Sequence, residues 1–282
     1  MQQFDTALPA LRAPPRHDTL CWVTWVTGLV GGLTGLLIAL VTAPVGVSGA
    51  VFLLPVQFSV LGVPSPAVTP TNLLYNVVAG PGALLRYRRN GNAAGPLTRQ
   101  LVMGTLPGVV IGAVIRVFAV PGPGVFRFIV GLLLLPLGSW LFVRTLRPPS
   151  QHLAREPSRR SITLLALAVG VVGGVYGIGG GSILGPILVG RGLPVSKVAP
   201  AALASTFFTS IVGAGTYALL ALGTGDDIGP NWPLGLLCGL GGLIGGYLGA
   251  RLQPRLPETT LRLTLGALAV VLGGMYIAQA LG

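Results

Sequence analysis

The sequence predicts an all-α polytopic membrane protein. It predicts two inverted-topology repeats, each with a broken or re-entrant short helix, and about 8–10 membrane segments in all. Three observations predict this. The chain of 282 residues is 52% hydrophobic and 9% charged, where soluble domains carry about 25% charged residues. Its apolar residues come in runs long enough to cross a bilayer, which takes roughly 20 residues of helix. An ordered series of glycine break, short apolar segment, Gly-x-Pro turn and long helix occurs twice. The alternating segments of ~10 residues that mark a membrane β-barrel are not visible in the sequence.

Taken in chain order, residues 1–19 are a polar, proline-bearing tail, "MQQFDTALPALRAPPRHD" and the residue after it. The apolar stretch that follows is too long for a signal-peptide core, so no cleavage is expected. The first membrane repeat covers 20–146, a cytoplasmic linker 147–160 and the second membrane repeat 161–282. Apolar segments fall at 20–44, 51–62, 66–85, 98–120, 125–146, 161–178, 182–190, 197–222, 232–251 and 259–281. The segments 51–62 and 182–190 are too short to span as helix. Each follows a glycine-containing break, "PVGVSGA" (44–50) and "GIGGG" (177–181). Each precedes a turn, "GVPSP" (62–66) and "GLPVS" (192–196).

A shift of 131 residues places Gly46, Gly49 and Pro55 on Gly177, Gly180 and Pro186. After a one-residue deletion, Gly62, Pro64, Val68, Pro70 and Leu73 fall on Gly192, Pro194, Val198, Pro200 and Leu203. If each short segment returns the chain to the side it came from, each half has an odd number of segments. The halves are then inverted, as is common in secondary transporters.

Charge gives the same map. The loops 86–99, 144–160, 191–197 and 251–262 carry 14 of the 18 basic residues. By the positive-inside rule they face the cytoplasm, in a cell (inner) membrane, and both termini face outside. The net charge of +12 thus reads as topology and contact with anionic lipid, not as a nucleic-acid surface. Arg116 is the most membrane-embedded basic residue and is expected to snorkel to the outer interface. Cys21 and Cys238 form no disulfide or metal pattern.

Irregular backbone at membrane depth survives only under cover of protein or water. The two breaks are therefore expected inside, near the repeat interface. A break exposes the N-terminus of the half-helix behind it, whose free N–H groups and dipole favour an anion. This makes Gly46, Ser48 and Gly49 in one break, and Gly179, Gly180, Gly181 and Ser182 in the other, candidate substrate-binding residues. Ser182 is expected to cap a helix over 183–190. "PTNLLYNVV" (70–78) puts Asn72 and Asn76 on one face, and "LASTFFTS" (203–210) does the same for Ser205 and Thr209. The repeat sets Tyr75 on Ser205 and Asn76 on Thr206. Asn72, Tyr75, Asn76, Ser205 and Thr206 supply neutral donors that suit an oxyanion, or they bond helix to helix. The glycines Gly241, Gly242, Gly245, Gly246 and Gly249 read as close helix packing.

"GIGGGS" is no nucleotide loop: Ser182 holds the third glycine's place, and no strand precedes it. No Asp, Glu or His lies within an apolar segment. A catalytic dyad, a metal set, a cofactor or a carboxylate proton relay has no material, and no enzyme is expected.

The second copy, "GVVGGVYGIGGGSILGPILVGRGLPVSKVAPAALASTFFTSIVGAGTY" (170–217), resembles the sulfite exporter TauE/SafE family of membrane permeases. The first copy (31–80) matches less well, with "GVSGA" where the family is richer in glycine. The resemblance covers about 20–280. It implies transport of small anions: sulfite, thiosulfate, sulfonates or related organic acids. The partners expected are that anion and the lipid bilayer, with a homo-oligomer open and no nucleic acid. Alternating access around a midplane site is the expected mechanism. Export is favoured, because an anion leaves a negative cell interior downhill, at about 2.3 kcal/mol per charge per 100 mV. The alternatives are an importer or channel for the same anions and, remotely, a lipid-modifying membrane enzyme.

Overall fold

The computed structural model describes residues 25–63, 65–91, 95–118, 124–146, 158–224 and 229–281. The tail 1–19, Cys21 and most of the linker 147–160 lie outside the described residues. Ten α-helices and no strand occur among the described residues. They are α1 (Trp25–Thr42), α2 (Ala50–Ser59), α3 (Ser65–Arg89), α4 (Pro96–Phe118), α5 (Gly124–Leu146), α6 (Arg159–Tyr176), α7 (Gly181–Gly190), α8 (Val195–Thr224), α9 (Trp232–Leu252) and α10 (Glu258–Leu281).

The helices match the apolar segments closely. The largest difference among the described residues is α3, which runs four residues past its apolar stretch through Arg86, Arg88 and Arg89. Its hydrogen-bond ladder continues after the apolar run has ended. The helix α6 stops at Tyr176 because Gly177 turns into the left-handed region, φ 68°. Six helices (α1, α4, α6, α8, α9 and α10) are long and apolar enough to cross a membrane. By contrast α2 and α7, at ten residues each, reach only about 15 Å.

The halves pack by the same scheme. Helix α1 lies on α9, and α6 on α4. Helix α3 lies on α9, and α8 on α4. Helix α3 meets α8, and α5 meets α10. Exchanging the halves maps this set onto itself. Small residues build the contacts: Gly108 and Gly112 of α4 abut backbone of α6, and Gly241 and Gly245 of α9 abut backbone of α1. Gly249 and Gly242 likewise meet α1 and Tyr75, and Gly246 lies beside Ala83. Without a hydrophobic drive between helices in lipid, such close approach is what holds them together.

Four of the basic loops share one end of the bundle. There Gln100 donates to the Arg159 carbonyl oxygen, Arg191 donates to Ser161 Oγ, Arg89 donates to Tyr247 and the Val195 N–H donates to Glu258. Since Ser161 begins α6 and Arg191 follows α7, the pair α6–α7 returns to the end where it started. At the opposite end Leu61, just past α2, lies against Gly31 of α1, and the Asn231 N–H donates to Thr71 Oγ1. Arg116 is half-buried in the last turn of α4, at the end opposite the basic loops.

Candidate functional site

The two breaks are built alike. Gly46 and Gly177 both adopt left-handed backbone, φ 78° and 68°, a conformation only glycine adopts at little cost. Each packs on the long helix of the other half. Gly46 lies on Ala199 of α8, and Gly177 on Thr69 of α3. These partners also correspond under the repeat. A tyrosine secures the helix before each break. Tyr87 donates to the Ala43 carbonyl oxygen and Tyr217 to that of Gly174, each over 2.9 Å. Both tyrosines are buried. This clasp was readable in the repeat, because Tyr87 and Tyr217 stand 130 residues apart, the offset of the helices that carry them.

The half-helices start side by side in the core. Nine of the ten residues of α7 are buried, which shields its frayed backbone from lipid. The Ser48 N–H donates to Ser182 Oγ over 3.3 Å, joining the breaks directly. Ser182 is not the N-cap. Gly180 holds that position without a side-chain bond. Ser182 lies one residue inside α7 and donates to the Ile178 carbonyl oxygen over 3.0 Å. With Gly179 and Gly180 free to bend the chain, α7 begins two residues earlier than capping by Ser182 requires.

In the first break, Ser48 Oγ donates to Asn76 Oδ1 over 2.5 Å and accepts from the Ala50 N–H over 3.2 Å. Asn76 Nδ2 donates across the junction to the Gly177 carbonyl oxygen, and Asn72 Nδ2 donates to that of Ala50. In the second break, α8 supplies hydroxyls instead. The Gly181 N–H donates to Thr206 Oγ1 over 3.1 Å, and the Gly180 N–H to Thr209 Oγ1 over 3.5 Å. Ser205 pairs with Thr105 of α4 over 2.9 Å, and Gly180 lies beside Thr105. Gly179, φ 71°, lies against the Thr206 side chain.

A cavity of about 30 Å³ lies between the halves, lined by Thr42, Ser48, Gly49, Tyr75, Asn76 and Thr206 among others. Asn76 and Thr206 are each the twelfth residue of their helices, of 25 and 30 residues, so the cavity lies at mid-depth. Tyr75 and Thr42 are 1% and 2% exposed, and neither hydroxyl has a hydrogen-bond partner among the described residues. Of the expected residues, Ser48, Gly49, Tyr75, Asn76 and Thr206 line the cavity. Gly46, Asn72, Gly179, Gly180, Gly181, Ser182 and Ser205 form the walls behind it. The sequence reading missed Thr42, Thr105 and Thr209 as members of this cluster. Thr209 carried a signal, standing four residues after Ser205. Thr42 and Thr105 carried none, since each is a single threonine in an apolar run. Among the described residues no group of three or more His, Cys, Asp or Glu side chains comes together.

Two half-helices that start side by side inside an apolar bundle, with unpaired hydroxyls on a cavity beside the first of them, are the architecture of a membrane transporter. Comparison with known proteins places this transporter in a lineage. The family model described as Sulfite exporter TauE/SafE matches residues 19–276, and the chain belongs to that family. It is 25% identical over 268 residues to the Probable membrane transporter protein YunE of Bacillus subtilis (strain 168). That match covers 90% of this chain and 96% of the relative. A segment of 90 residues is 28% identical to Sulfite exporter TauE/SafE family protein 5 of Arabidopsis thaliana, covering 32% of this chain and 19% of the relative. No solved structure gives a significant match.

Proposed function

We propose that the protein exports a small anion (sulfite, thiosulfate, a sulfonate or a related organic acid) by alternating access around the cavity beside the first break. The observation that carries this is the pair of buried, unpartnered hydroxyls of Tyr75 and Thr42 on its wall. A buried hydroxyl without a partner costs about 1–3 kcal/mol. An oxyanion, with several strong acceptors, removes that cost at both groups. Ser48, Asn76 and Thr206 supply further neutral polar groups, and the N-terminus of α2 adds its dipole. No acid repels the anion: Glu258, the one carboxylate among the described residues, pairs with Arg262 at the end of the bundle.

At about 30 Å³ the cavity holds one or two waters, less than a sulfur oxyanion needs. It must widen to load. A relative movement of the halves does this, since Ser48–Ser182 and Asn76–Gly177 bridge them and are free to exchange for anion contacts. The return of α6–α7 to its starting end, with α3 and α9 beginning at the other, supports halves inverted in the membrane. The positive-inside rule then sets the basic end in the cytoplasm of a cell with an inner membrane and both termini outside. Export follows from the negative interior and from the lack of an acid or histidine in the membrane segments to couple protons.

The test is flux in proteoliposomes over sulfite, thiosulfate, sulfoacetate and short carboxylates. Saturable uptake with trans-stimulated exchange is expected for at least one. Movement of none overturns the anion reading, and ohmic current without saturation makes the protein a channel.

A further inference from the structure

Helices α3 and α4 follow each other in the chain, and α8 packs on both. Between them a recess of about 530 Å³ opens on the flank of the bundle, with Arg88 and Arg99 at one end and Leu84, Met103, Phe207 and Phe208 along it. It runs from the basic end to the middle of α8. There it meets the wall of the smaller cavity. On α3, Ala79, Gly80 and Ala83 face the cavity, while Pro81, Leu84 and Leu85 face the recess. On α8, Leu203 and Thr206 face the cavity, while Ala204 and Phe208 face the recess. Phe207 is common to both walls.

The geometry points to Phe207 as the gate between the cavity and this recess, and to the recess as the vestibule through which an anion reaches the cavity at the basic end. This rests on the reading of the cavity as the anion site.

The ring lies over Gly80, where an added Cβ would stand 2.6 Å from Phe207 Cδ2. It therefore fills the seam between α3 and α8 at the point where a side chain on α3 would otherwise be. Phe208 holds it edge-on, with ring centroids 5.3 Å apart and planes at 66°. A phenyl ring is a good plug for an anion, because it offers a bulky apolar barrier with no donor. It is also easily withdrawn, since it needs only a rotamer change and breaks no hydrogen bond. Gly80 and Pro81 sit together inside α3, and proline removes one bond from the helical ladder there, so the seam is also where α3 bends most easily. Arg88 and Arg99 at the basic end concentrate anions against this plug. The repeat puts Val77 in the place of Phe207, so the large plug belongs to the basic end alone.

The test is cysteine accessibility and needs no substrate. In a chain with Cys21 and Cys238 replaced, Ala79→Cys reports from the cavity wall and Asn90→Cys, in a second chain, reports which vesicle face carries the basic loops. A charged, membrane-impermeant thiol reagent is added to vesicles of each orientation. Phe207→Ala is expected to speed labelling of Ala79→Cys by about tenfold or more from the face that labels Asn90→Cys, as the open fraction rises. From the other face the rate is expected to stay as it was. Phe207→Leu, which keeps an apolar plug, is expected to stay within about threefold of the parent on the same arithmetic. Unchanged labelling in a monodisperse Phe207→Ala protein overturns the gate, and so does equal acceleration from both faces. Should Phe207→Ala aggregate, Phe207→Val is read by the same two criteria. Because no anion is used, failure of the flux screen and failure of the gate are separate results.

Discussion

The break "GVSGA" of the first half and "GIGGGS" of the second share a backbone and differ in what fills it. Both turn on a left-handed glycine, both pack on the opposite long helix, and both have a tyrosine clasp. The second break then presents glycine amides to the hydroxyls of Thr206 and Thr209. The first brings its own serine and takes two asparagines and a tyrosine from α3. The cavity is lined by residues of the first break and by none of Gly179–Ser182. Glycine content therefore measures how closely a helix approaches the break. It does not measure how much the break offers a ligand. Where α8 comes close, its hydroxyls occupy the amides. Where Tyr75 holds α3 off Gly49, room remains.

The largest effect expected from breaking this comparison is at the shared backbone. Gly46→Val and Gly177→Val each force a β-branched residue into left-handed φ and against neighbouring backbone, at about 3 kcal/mol or more together. Both are expected to lose the folded transporter, read by size exclusion and thermal unfolding in detergent. A folded, active variant of either kind would show that the breaks are not rigid equivalents.

Next is the polar fill. Asn76→Ala removes the contact to Ser48 and the bridge to Gly177 and is expected to lower transport by tenfold or more, about 1.4 kcal/mol or above in transition-state terms. Thr209→Val, behind the second break, is expected to lower stability by about 1 kcal/mol with a smaller effect on transport. The reverse order would put the site on the glycine-rich side.

The clasps should respond equally. Tyr87→Phe and Tyr217→Phe each remove one buried hydrogen bond, at about 1 kcal/mol. Their unfolding temperatures are expected to fall by similar amounts. Tyr75→Phe sharpens the contrast, because its hydroxyl has no partner to lose among the described residues. Its stability is expected to stay level or rise, while anion affinity falls about fivefold, the worth of one hydrogen bond. A drop in stability without a change in affinity would assign that hydroxyl a structural partner.

The smallest effect concerns Gln57 of α2. It is fully buried, and neither side-chain amide atom has a partner. Its counterpart in α7 is Leu188, also fully buried. Gln57→Leu is expected to raise stability by about 1 kcal/mol, read as a higher unfolding temperature, with transport retained.

Much of the fold was legible in residue order. The ten segments, the two half-length helices and the placing of Arg88, Arg99, Arg191 and Arg262 at helix ends or in loops follow from hydropathy, glycine and proline. Each of those acts on the chain near itself. In lipid an unsatisfied backbone group is so costly that helix is the default. A break such as Gly177–Gly180 therefore stands out at once, and so does its duplicate 131 residues earlier.

The site was legible only in part. The choice of Tyr75, Asn76 and Thr206 came from polar residues standing out in apolar helices and that of Ser48 from the first break, and these four do line the cavity. Thr42 and Phe207 were invisible, since nothing in "ALVTAP" or "STFFTS" marks one residue as facing a cavity. Ser182 looked like a cap, and instead it donates to the Ile178 carbonyl oxygen and accepts from the Ser48 N–H 134 positions away.

The sequence by itself determined the solvent this protein lives in, its ten segments and the repetition of its two halves, because each depends on local chemistry repeated along the chain. Only the tertiary structure decided which break keeps an open cavity and which residues line it. Ser48 meets Ser182, Asn76 meets Gly177 and Thr105 meets Ser205, across 134, 101 and 100 residues. Such contacts depend on how closely two helices cross. That distance is set by the small residues of both helices together, and neither segment carries it alone.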